Sequence, residues 1–510
     1  MSAIPVTRHN IGMSGRVFLI GAGPGNPGLL TLRGAELLGQ SDVVLYDGLS
    51  NPEMLRHAAS AEHVCVGKHG RTRIWKQHEI IDEILRHARA GRRVARLKGG
   101  DPAVFARTAE EVAAVREAGI PLEVVPGITA ALAAGSFAGI PITHRGLASA
   151  VALVTGHEEP SKAESALDWG AIARFPGTVV VYMGVTTARA WTDALLSAGK
   201  PPETPAAIIR RCSLPDQQVI RCELNEVADH LTPASKFRPP VIVILGAVAE
   251  LADTINWVQS QPLLGQNILV TRPTEQATAL ADSLSQLGAQ VVQQPVIEIG
   301  PVSDWNKVDQ TLCTLGDFQH IVFCSHNGVR YFMNRLFALG RDVRSLAGIE
   351  ISVVGEKTAQ TLREFSLIAD RIPDDFRAES LAHSMGDGVR DRNVLIIRAS
   401  RGRDVLADAL EANGARVQQL VTYEHRDVEN VDPNVMQAVT NGQIEWITLT
   451  SSASAENAAK LFGDAMRKMK IATLSPVTSE QVRDLGFEVT AEANPYTIEA
   501  MIQSIQEAMK

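Results

Sequence analysis

Cysteine is scarce and scattered. The 510-residue chain has five, Cys65, Cys212, Cys222, Cys313 and Cys324, odd in number and without a CxxC pair. This excludes a disulfide framework and a zinc knuckle, and no metal site is expected. Reduced thiols fit a cytoplasmic location. Long apolar runs are missing as well: none approaches the ~18 residues of a membrane span. Residues 1–14 lack a signal-peptide core and read as a flexible N-terminus. Nor is there a basic excess. Lys plus Arg number 49 against 57 Asp plus Glu, a net charge of −8, which argues against a nucleic-acid partner. Hydrophobic residues at 45% and charged residues at 21% exclude a largely disordered chain.

What is present is a recurrence of short apolar runs with helical stretches between them. They fall at 17–20, 43–46, 151–154, 179–182, 241–245, 268–270, 321–323, 351–354, 394–397 and 446–449. Runs without strict alternation suit strands buried in parallel sheets under helices, so the fold class is α/β throughout. The polar segment 257–266 reads as a linker. It sets the boundary near 255–262, between one block at 15–254 and another at 263–510. The second block repeats itself. Residues 267–298 and 393–424 align at an offset of 126 with twelve of 32 positions identical, among them Asn267/Asn393, Arg272/Arg398 and Gly288/Gly414. Ser325 and Ser451 keep the same offset. Each copy reads strand, helix, glycine turn, strand, which predicts two similar lobes flanking a ligand cleft.

In the first block, Gly21-Ala22-Gly23-Pro24-Gly25-Asn26-Pro27-Gly28 follows the run 17–20. Such a turn lets a ligand approach the backbone closely. It comes near a dinucleotide fingerprint, with Asp47 where a ribose-binding acid would stand. But Asn26 replaces the last glycine, and Pro24 and Pro27 remove donors that phosphate needs. A nicotinamide-dependent oxidoreductase fused to a two-lobed binding module is therefore only an alternative. Next, Arg96-Leu97-Lys98-Gly99-Gly100-Asp101-Pro102 brings bare amides and a carboxylate to a strand's C-terminal end, where open α/β sheets bind ligands. A tight turn capped by Asp101 reads the same way. Then come Val125-Pro126-Gly127-Ile128-Thr129-Ala130, Pro141-Ile142-Thr143-His144-Arg145, Val154-Thr155-Gly156-His157 and Tyr182-Met183-Gly184.

In this order and spacing, the motifs of residues 15–250 resemble uroporphyrinogen-III C-methyltransferase, most specifically over 96–111. The resemblance implies a two-domain methyltransferase fold (15–127 and 128–254) that pairs as a homodimer. It also implies two methyl transfers from S-adenosylmethionine to uroporphyrinogen III, giving precorrin-2. By position it gives Pro24, Gly99, Gly100, Asp101, Val104, Thr129, Ala130 and Met183 to the cofactor. Asp47, Lys68, Arg107 and Glu110 take catalytic places, and Arg145 a substrate place. Taken alone, Asp47 could cap a helix, Lys68 could be a solvated charge and Met183 ordinary core. The chemistry needs in-line positioning of the methyl, a base or water path for a pyrrole proton and arginines for eight carboxylates. Arg71, Arg73, Arg107 and Arg145 stand close to the motifs. Two stretches depart from the family. Phe105-Ala106-Arg107-Thr108-Ala109-Glu110-Glu111 replaces FGRGGEE, and Arg211-Cys212-Ser213-Leu214-Pro215-Asp216-Gln217 replaces a glycine-led motif. The second departure bears on the adenosine side of the cofactor.

The second block has no metal cluster, nucleophile elbow or phosphate loop, and His320 and His326 lack partners at metal spacing. Its features are hydroxyl and amide groups at strand ends: Ser325, Asn327, Thr358, Thr450, Ser451, Ser452 and Thr478. They suit helix capping and carboxylate binding together. Val270-Thr271-Arg272-Pro273, Phe323-Cys324-Ser325-His326-Asn327-Gly328-Val329, Val354-Gly355-Glu356-Lys357-Thr358-Ala359, Tyr423 and Asn494-Pro495-Tyr496-Thr497 resemble uroporphyrinogen-III synthase over 263–510. The resemblance implies cyclisation of hydroxymethylbilane with inversion of ring D, without a cofactor. It gives Tyr423 the role of assisting the departing hydroxyl, while Ser325, Asn327, Thr358, Ser451 and Thr478 remain the candidate substrate residues among the hydroxyl and amide groups at strand ends. It also implies one lobe at 263–299 plus 426–510 and another at 300–425. The synthase product is the methyltransferase substrate, so a fusion would direct flux toward sirohaem or cobalamin. A tetrapyrrole-binding protein with one degenerate half is the other alternative.

Overall fold

The computed structural model describes residues 15–67, 75–158, 166–235, 237–373, 378–402 and 404–510. The N-terminal segment 1–14 lies outside them. The chain divides into two compact units, Met1–Gly265 with Leu287–Gln290, and Gln266–Gln286 with Val291–Lys510.

The first unit begins with five strands, β1 (Arg16–Gly21), β2 (Val43–Tyr46), β3 (Glu62–Cys65), β4 (Arg93–Lys98) and β5 (Leu122–Val125). They form an all-parallel sheet in the order β3-β2-β4-β1-β5. The inner strands β1 and β2 read as nearly continuous apolar runs because helices cover both faces, while the inner strand β4 carries charges among its core residues. Phe18, Ile20, Val44 and Leu97 pack on one side and Val17, Leu19, Val43 and Val94 on the other. The edge strand β3 keeps polar residues outward. The C-terminal ends of β1, β4 and β5 are adjacent, and their loops meet backbone to backbone. Gly23 and Gly100 exchange hydrogen bonds of 3.1 and 2.8 Å, and Ala22 N donates to Lys98 O at 2.7 Å. Gly127 is pressed into this junction: a Cβ there would stand 2.2 Å from Gly100 O.

The second sheet of this unit holds β6 (Val151–Thr155), β7 (Thr178–Tyr182), β8 (Pro205–Arg210), β9 (Gln218–Glu223) and β10 (Val241–Leu245). Its order is β6-β7-β10-β8-β9. Only the β6–β7 pair is parallel. The α/β class holds, but this sheet is mixed rather than parallel. A short turn replaces a helical crossover between β8 and β9, which turns the chain back on itself. The segment after the sheet is packed rather than free: Trp257 Nε1 donates to Ser136 O at 3.0 Å, and its ring lies 5.2 Å from Phe137.

In the second unit, β11 (Asn267–Val270) and β12 (Gln290–Gln293) open one sheet. The chain then crosses to β13 (Ile297–Pro301), β14 (His320–Phe323), β15 (Glu350–Val353), β16 (Asn393–Ala399) and β17 (Arg416–Asp427). It returns to the first sheet as β18 (Trp446–Leu449), β19 (Lys470–Thr473) and β20 (Ala491–Glu492). The two sheets run β12-β11-β18-β19-β20 and β13-β17-β16-β14-β15. The long β17 pairs parallel to β16 and, toward its end, antiparallel to β13. Helices start after β14, β15, β18 and β19 with nearly one cap geometry: φ/ψ −159/160° at Ser325, −163/165° at Gly355, −159/158° at Ser451 and −157/158° at Ser475. The sequence repeat is thus a structural one.

Gly127→Ala is expected to destabilise the first unit by about 1–3 kcal/mol, because the Cβ meets a backbone carbonyl that cannot step aside. Gly316→Ala, where a Cβ meets nothing within 4 Å, is expected to leave stability unchanged. Calorimetric melting of the two variants checks both.

Candidate active sites

The first candidate site gathers at the ends of β1, β4 and β5. Gly23 and Gly100 adopt φ of +73° and +69°, conformations open to glycine. A Cβ at Gly100 would find nothing nearer than 3.9 Å, with Thr129 Cα and Ala130 N at that distance. Gly99 has similar room, 3.6 Å from Leu49. Asp101 ties the neighbouring loops together. Its Oδ2 accepts from Gly127 N at 2.9 Å and its Oδ1 from Ala103 N at 2.6 Å, so it fastens one loop to the next. Val104, Ala130 and Tyr182 belong to one apolar cluster. Met183 sits half-exposed at φ +54°. Pro24 follows Gly23 directly. The eight residues expected at the cofactor therefore share one place. Bare backbone, an apolar wall and a half-exposed Met183 fit the adenosyl and amino-acid parts of S-adenosylmethionine, which has both apolar and polar faces.

Behind this cradle lies a cluster of four charges. Arg96 and Lys98 alternate inward on β4, each 3% exposed, and Glu111 on the helix Thr108–Glu117 is fully buried. Arg96 donates to Asp47 Oδ1 at 2.5 Å and to Glu111 Oε1 at 3.4 Å, while Lys98 Nζ donates to Glu111 Oε2 at 2.6 Å. Gln77 adds a bond of 3.1 Å to Glu111. Two cations and two anions balance, as buried charges require. Burial, joined by the neighbouring guanidinium of Arg96, lowers the pKa of Lys98, and Glu111 opposes it. Asp47 Oδ2 has no partner among the described residues. Lys68 lies outside them, although Gly67, the residue before it, is pressed against Gly48. Arg107, at φ +52°, forms a two-pronged pair with Glu110 at 2.8 and 2.9 Å, largely in solvent. Arg145 is exposed, beside a cavity of about 250 Å³ lined also by Thr143, His144, Ala148 and Ser149. Sequence reasoning assigned no role to Arg96, Lys98, Glu111 or Tyr182. The signal was there for the first two: charges on alternate residues of a strand that is otherwise core.

In the second unit, Ser325 Oγ accepts from Gly328 N at 3.0 Å and shares a 2.7 Å hydrogen bond with the Tyr423 hydroxyl. Tyr423 is 4% exposed, stacked on Tyr331 at 5.7 Å, with His425 edge-on at 5.5 Å. Burial raises its pKa, against the bond from Ser325. Asn327, Thr358 and Thr478 are buried in the first turns of their helices, and Ser451 caps its own. These positions fall after β14, β15, β18 and β19, on both lobes. Cations collect among them. His326 is pushed down to about 4 by burial, then by Lys357, Arg330 and Arg272. Burial also lowers Arg272, whose buried Nε has no hydrogen-bond partner. Such a cleft calls for anions.

Comparison with known proteins agrees with this geometry. Residues 16–228 match the Tetrapyrrole (Corrin/Porphyrin) Methylases and residues 278–503 match Uroporphyrinogen-III synthase HemD. The porphyrin biosynthesis protein HemD of Ruminiclostridium josui is 34% identical over 501 residues, covering 97% of this chain and 98% of that protein. The S-adenosyl-L-methionine-dependent uroporphyrinogen III methyltransferase of Methanosarcina barkeri is 42% identical over 245 residues, 48% of this chain and 96% of that protein. The uroporphyrin-III C-methyl transferase from Thermus thermophilus, solved with S-adenyl homocysteine, is 44% identical over 46% of this chain and all of that one, with a TM-score of 0.41. The first unit is a tetrapyrrole methylase and the second a synthase of the HemD type. The chain thus belongs to the fused uroporphyrinogen-III C-methyltransferases and uroporphyrinogen-III synthases of tetrapyrrole biosynthesis, as the motifs had suggested.

Glu111→Gln leaves two buried cations facing one carboxylate. It is expected to cost about 3–5 kcal/mol, read by denaturant unfolding of the first unit. His326 has a lower pKa folded than its ordinary 6.5. Its contribution to stability is therefore complete above pH 6.5 and is lost as pH falls toward about 4, because the unfolded state takes up the proton first. His326→Gln is expected to flatten the decline of unfolding free energy across that window.

Proposed function

We propose that Tyr423 and Ser325 serve the closure of hydroxymethylbilane to uroporphyrinogen III, and that Asp47, held by Arg96, serves its two methylations to precorrin-2. The observation that carries this is the Asp47 carboxylate, tethered through Oδ1 and open at Oδ2, beside a cradle suited to the methyl donor.

S-adenosylmethionine, when bound, supplies an electrophilic methyl group. Gly99, Gly100, Thr129, Ala130, Val104 and Met183 would hold it, with Pro24 at the rim. Asp47 Oδ2 takes the proton that the methylated pyrrole must shed, and Arg96 keeps that carboxylate in place. Arg107 and Arg145 are the exposed cations for substrate carboxylates, and Glu110 keeps Arg107 in place. In the second unit, the phenol of Tyr423 remains protonated because it is buried, and donates to the departing hydroxyl of the bilane. Ser325 orients that phenol. Four helix N-termini, together with Arg272, Arg330 and Lys357, receive acetate and propionate groups. That folds the bilane so that inverted closure outruns the simple one. Lys68 keeps its family role as a proposal only. The synthase half uses no cofactor in this reading, the protein is cytoplasmic, and the first unit pairs as a homodimer.

The nicotinamide alternative finds no support. The Gly23–Gly100 bridge and the two prolines leave the turn 21–28 without the row of amides that a pyrophosphate needs. The Arg211 loop bears on the degenerate alternative. Arg211 holds φ +51° despite its side chain, at a cost of about 1–2 kcal/mol, and its Nε donates to Asp216 at 2.6 Å. The loop thus reproduces a glycine-like backbone without glycine.

Two variants separate the sites. Asp47→Asn is expected to lower methylation of supplied uroporphyrinogen III by about 100-fold or more while isomer III formation from hydroxymethylbilane continues. Tyr423→Phe is expected to do the reverse, cutting isomer III formation by roughly 10-fold or more. Unchanged methylation in Asp47→Asn would remove the proposed base.

A further inference from the structure

Tyr182 ends β7 with 8% exposure, directly before Met183. Its hydroxyl accepts from Ala131 N at 2.8 Å and shares a 2.7 Å hydrogen bond with Thr129 Oγ1. Its ring lies 5.0 Å from that of Phe105, at the end of the loop 99–105. One side chain thus touches all three stretches proposed to hold the methyl donor: the glycine loop, residues 128–131, and its own neighbour Met183.

The protons of this cluster can be counted. Thr129 stands at the N-cap of the helix Ala130–Phe137, yet its side chain makes no cap bond there. Its hydroxyl is committed to Tyr182 instead. Ala131 N–H occupies one lone pair of the phenol oxygen. The phenol carries one hydrogen, and burial keeps it there at neutral pH. Thr129 Oγ1 is the only acceptor bonded to that phenol among the described residues. The shared bond uses one of the two hydroxyl hydrogens and leaves the other over. The phenol oxygen already accepts from Ala131 N, whereas Thr129 Oγ1 has both lone pairs free among the described residues. Donation by the phenol therefore satisfies more of the pair and leaves the Thr129 hydrogen for another acceptor. A Cβ at Gly100 would stand 3.9 Å from Thr129 Cα and Ala130 N, so the glycine loop runs beside this turn.

We propose that Tyr182 is a positioning residue of the methyl-donor site: its phenol donates to Thr129 Oγ1, turns the Thr129 hydroxyl into a donor toward the ligand, and locks residues 128–131 against Met183. This rests on the reading that residues 99–104, Thr129, Ala130 and Met183 hold S-adenosylmethionine.

The test uses the full chain. Tyr182→Phe removes the hydroxyl and keeps the ring against Phe105. It is expected to raise KM for S-adenosylmethionine and Kd for S-adenosylhomocysteine about tenfold, as loss of one buried bond predicts. The kcat at saturating donor should stay within about twofold, because an interaction lost equally from ground and transition states moves KM alone. Formation of isomer III from hydroxymethylbilane should be unchanged, which shows that the second unit is folded, and the retained kcat shows the same of the first. Thr129→Val is expected to lose as much, and the double variant no more than either single one, since both remove one coupled unit. Unchanged KM and Kd in Tyr182→Phe, a fall in kcat at constant KM, or additive losses in the double variant would each overturn the proposal. If the native chain failed to bind S-adenosylhomocysteine, the reading beneath the proposal would fall with it. Binding by the native chain and equally by Tyr182→Phe would overturn the proposal alone.

Discussion

A carboxylate with no solvent access cannot stand alone, and Glu111 sets the terms for the first unit. Removing an ion from water costs several kcal/mol unless partners surround it. Lys98, Arg96 and Gln77 are those partners. They draw together β4 and the helices Gln77–Arg89 and Thr108–Glu117. Arg96 spreads its donors further, through Nη1 to Leu97 O and through Nη2 to Asp47, just past the end of β2. The candidate base is thus oriented by a network that the fold itself needs. The glycine cradle stands at the same strand ends, because parallel strands all deliver their C-termini to one edge of the sheet.

The second unit solves a different problem with less chemistry. Its substrate reacts readily, and the task is to choose the shape in which it closes. Duplication supplies this economically: two lobes built on one plan give repeated helix N-termini with like backbone geometry at Ser325, Gly355, Ser451 and Ser475. Each offers unpaired backbone amides. The cations Arg272, Arg330 and Lys357 add a field that neutral His326 does not oppose. Against this background Tyr423 is a buried phenol tied to the cap of the first of these helices.

The local features were legible in the sequence. Glycine turns, apolar runs and the offset of 126 residues are written in consecutive positions, and the α/β class and both families followed from them. What escaped notice depends on contacts between distant residues. Arg96 meets Asp47 across 49 positions and Tyr182 meets Thr129 across 53. Neither pairing has a local pattern, though charges within a core strand signalled that Arg96 and Lys98 must be paired. Asp101 shows the converse. Its type and place suggested a ligand contact, and its oxygens also accept from the Ala103 and Gly127 amides, a loop-fastening role that the sequence did not show. Residue type shows what a side chain can do, and neighbours decide what it does. The mixed second sheet was missed because β9 is a half-exposed edge strand with only Val219 and Ile220 as consecutive apolar residues, too short a run to stand out.

The central claim is that one chain makes and then methylates the same tetrapyrrole. The most direct measurement supplies purified chain with hydroxymethylbilane and S-adenosylmethionine only, and determines the mass and isomer type of the product. The account predicts a type III macrocycle carrying two added methyl groups. A product of type I alone, or type III without added methyl, would contradict it.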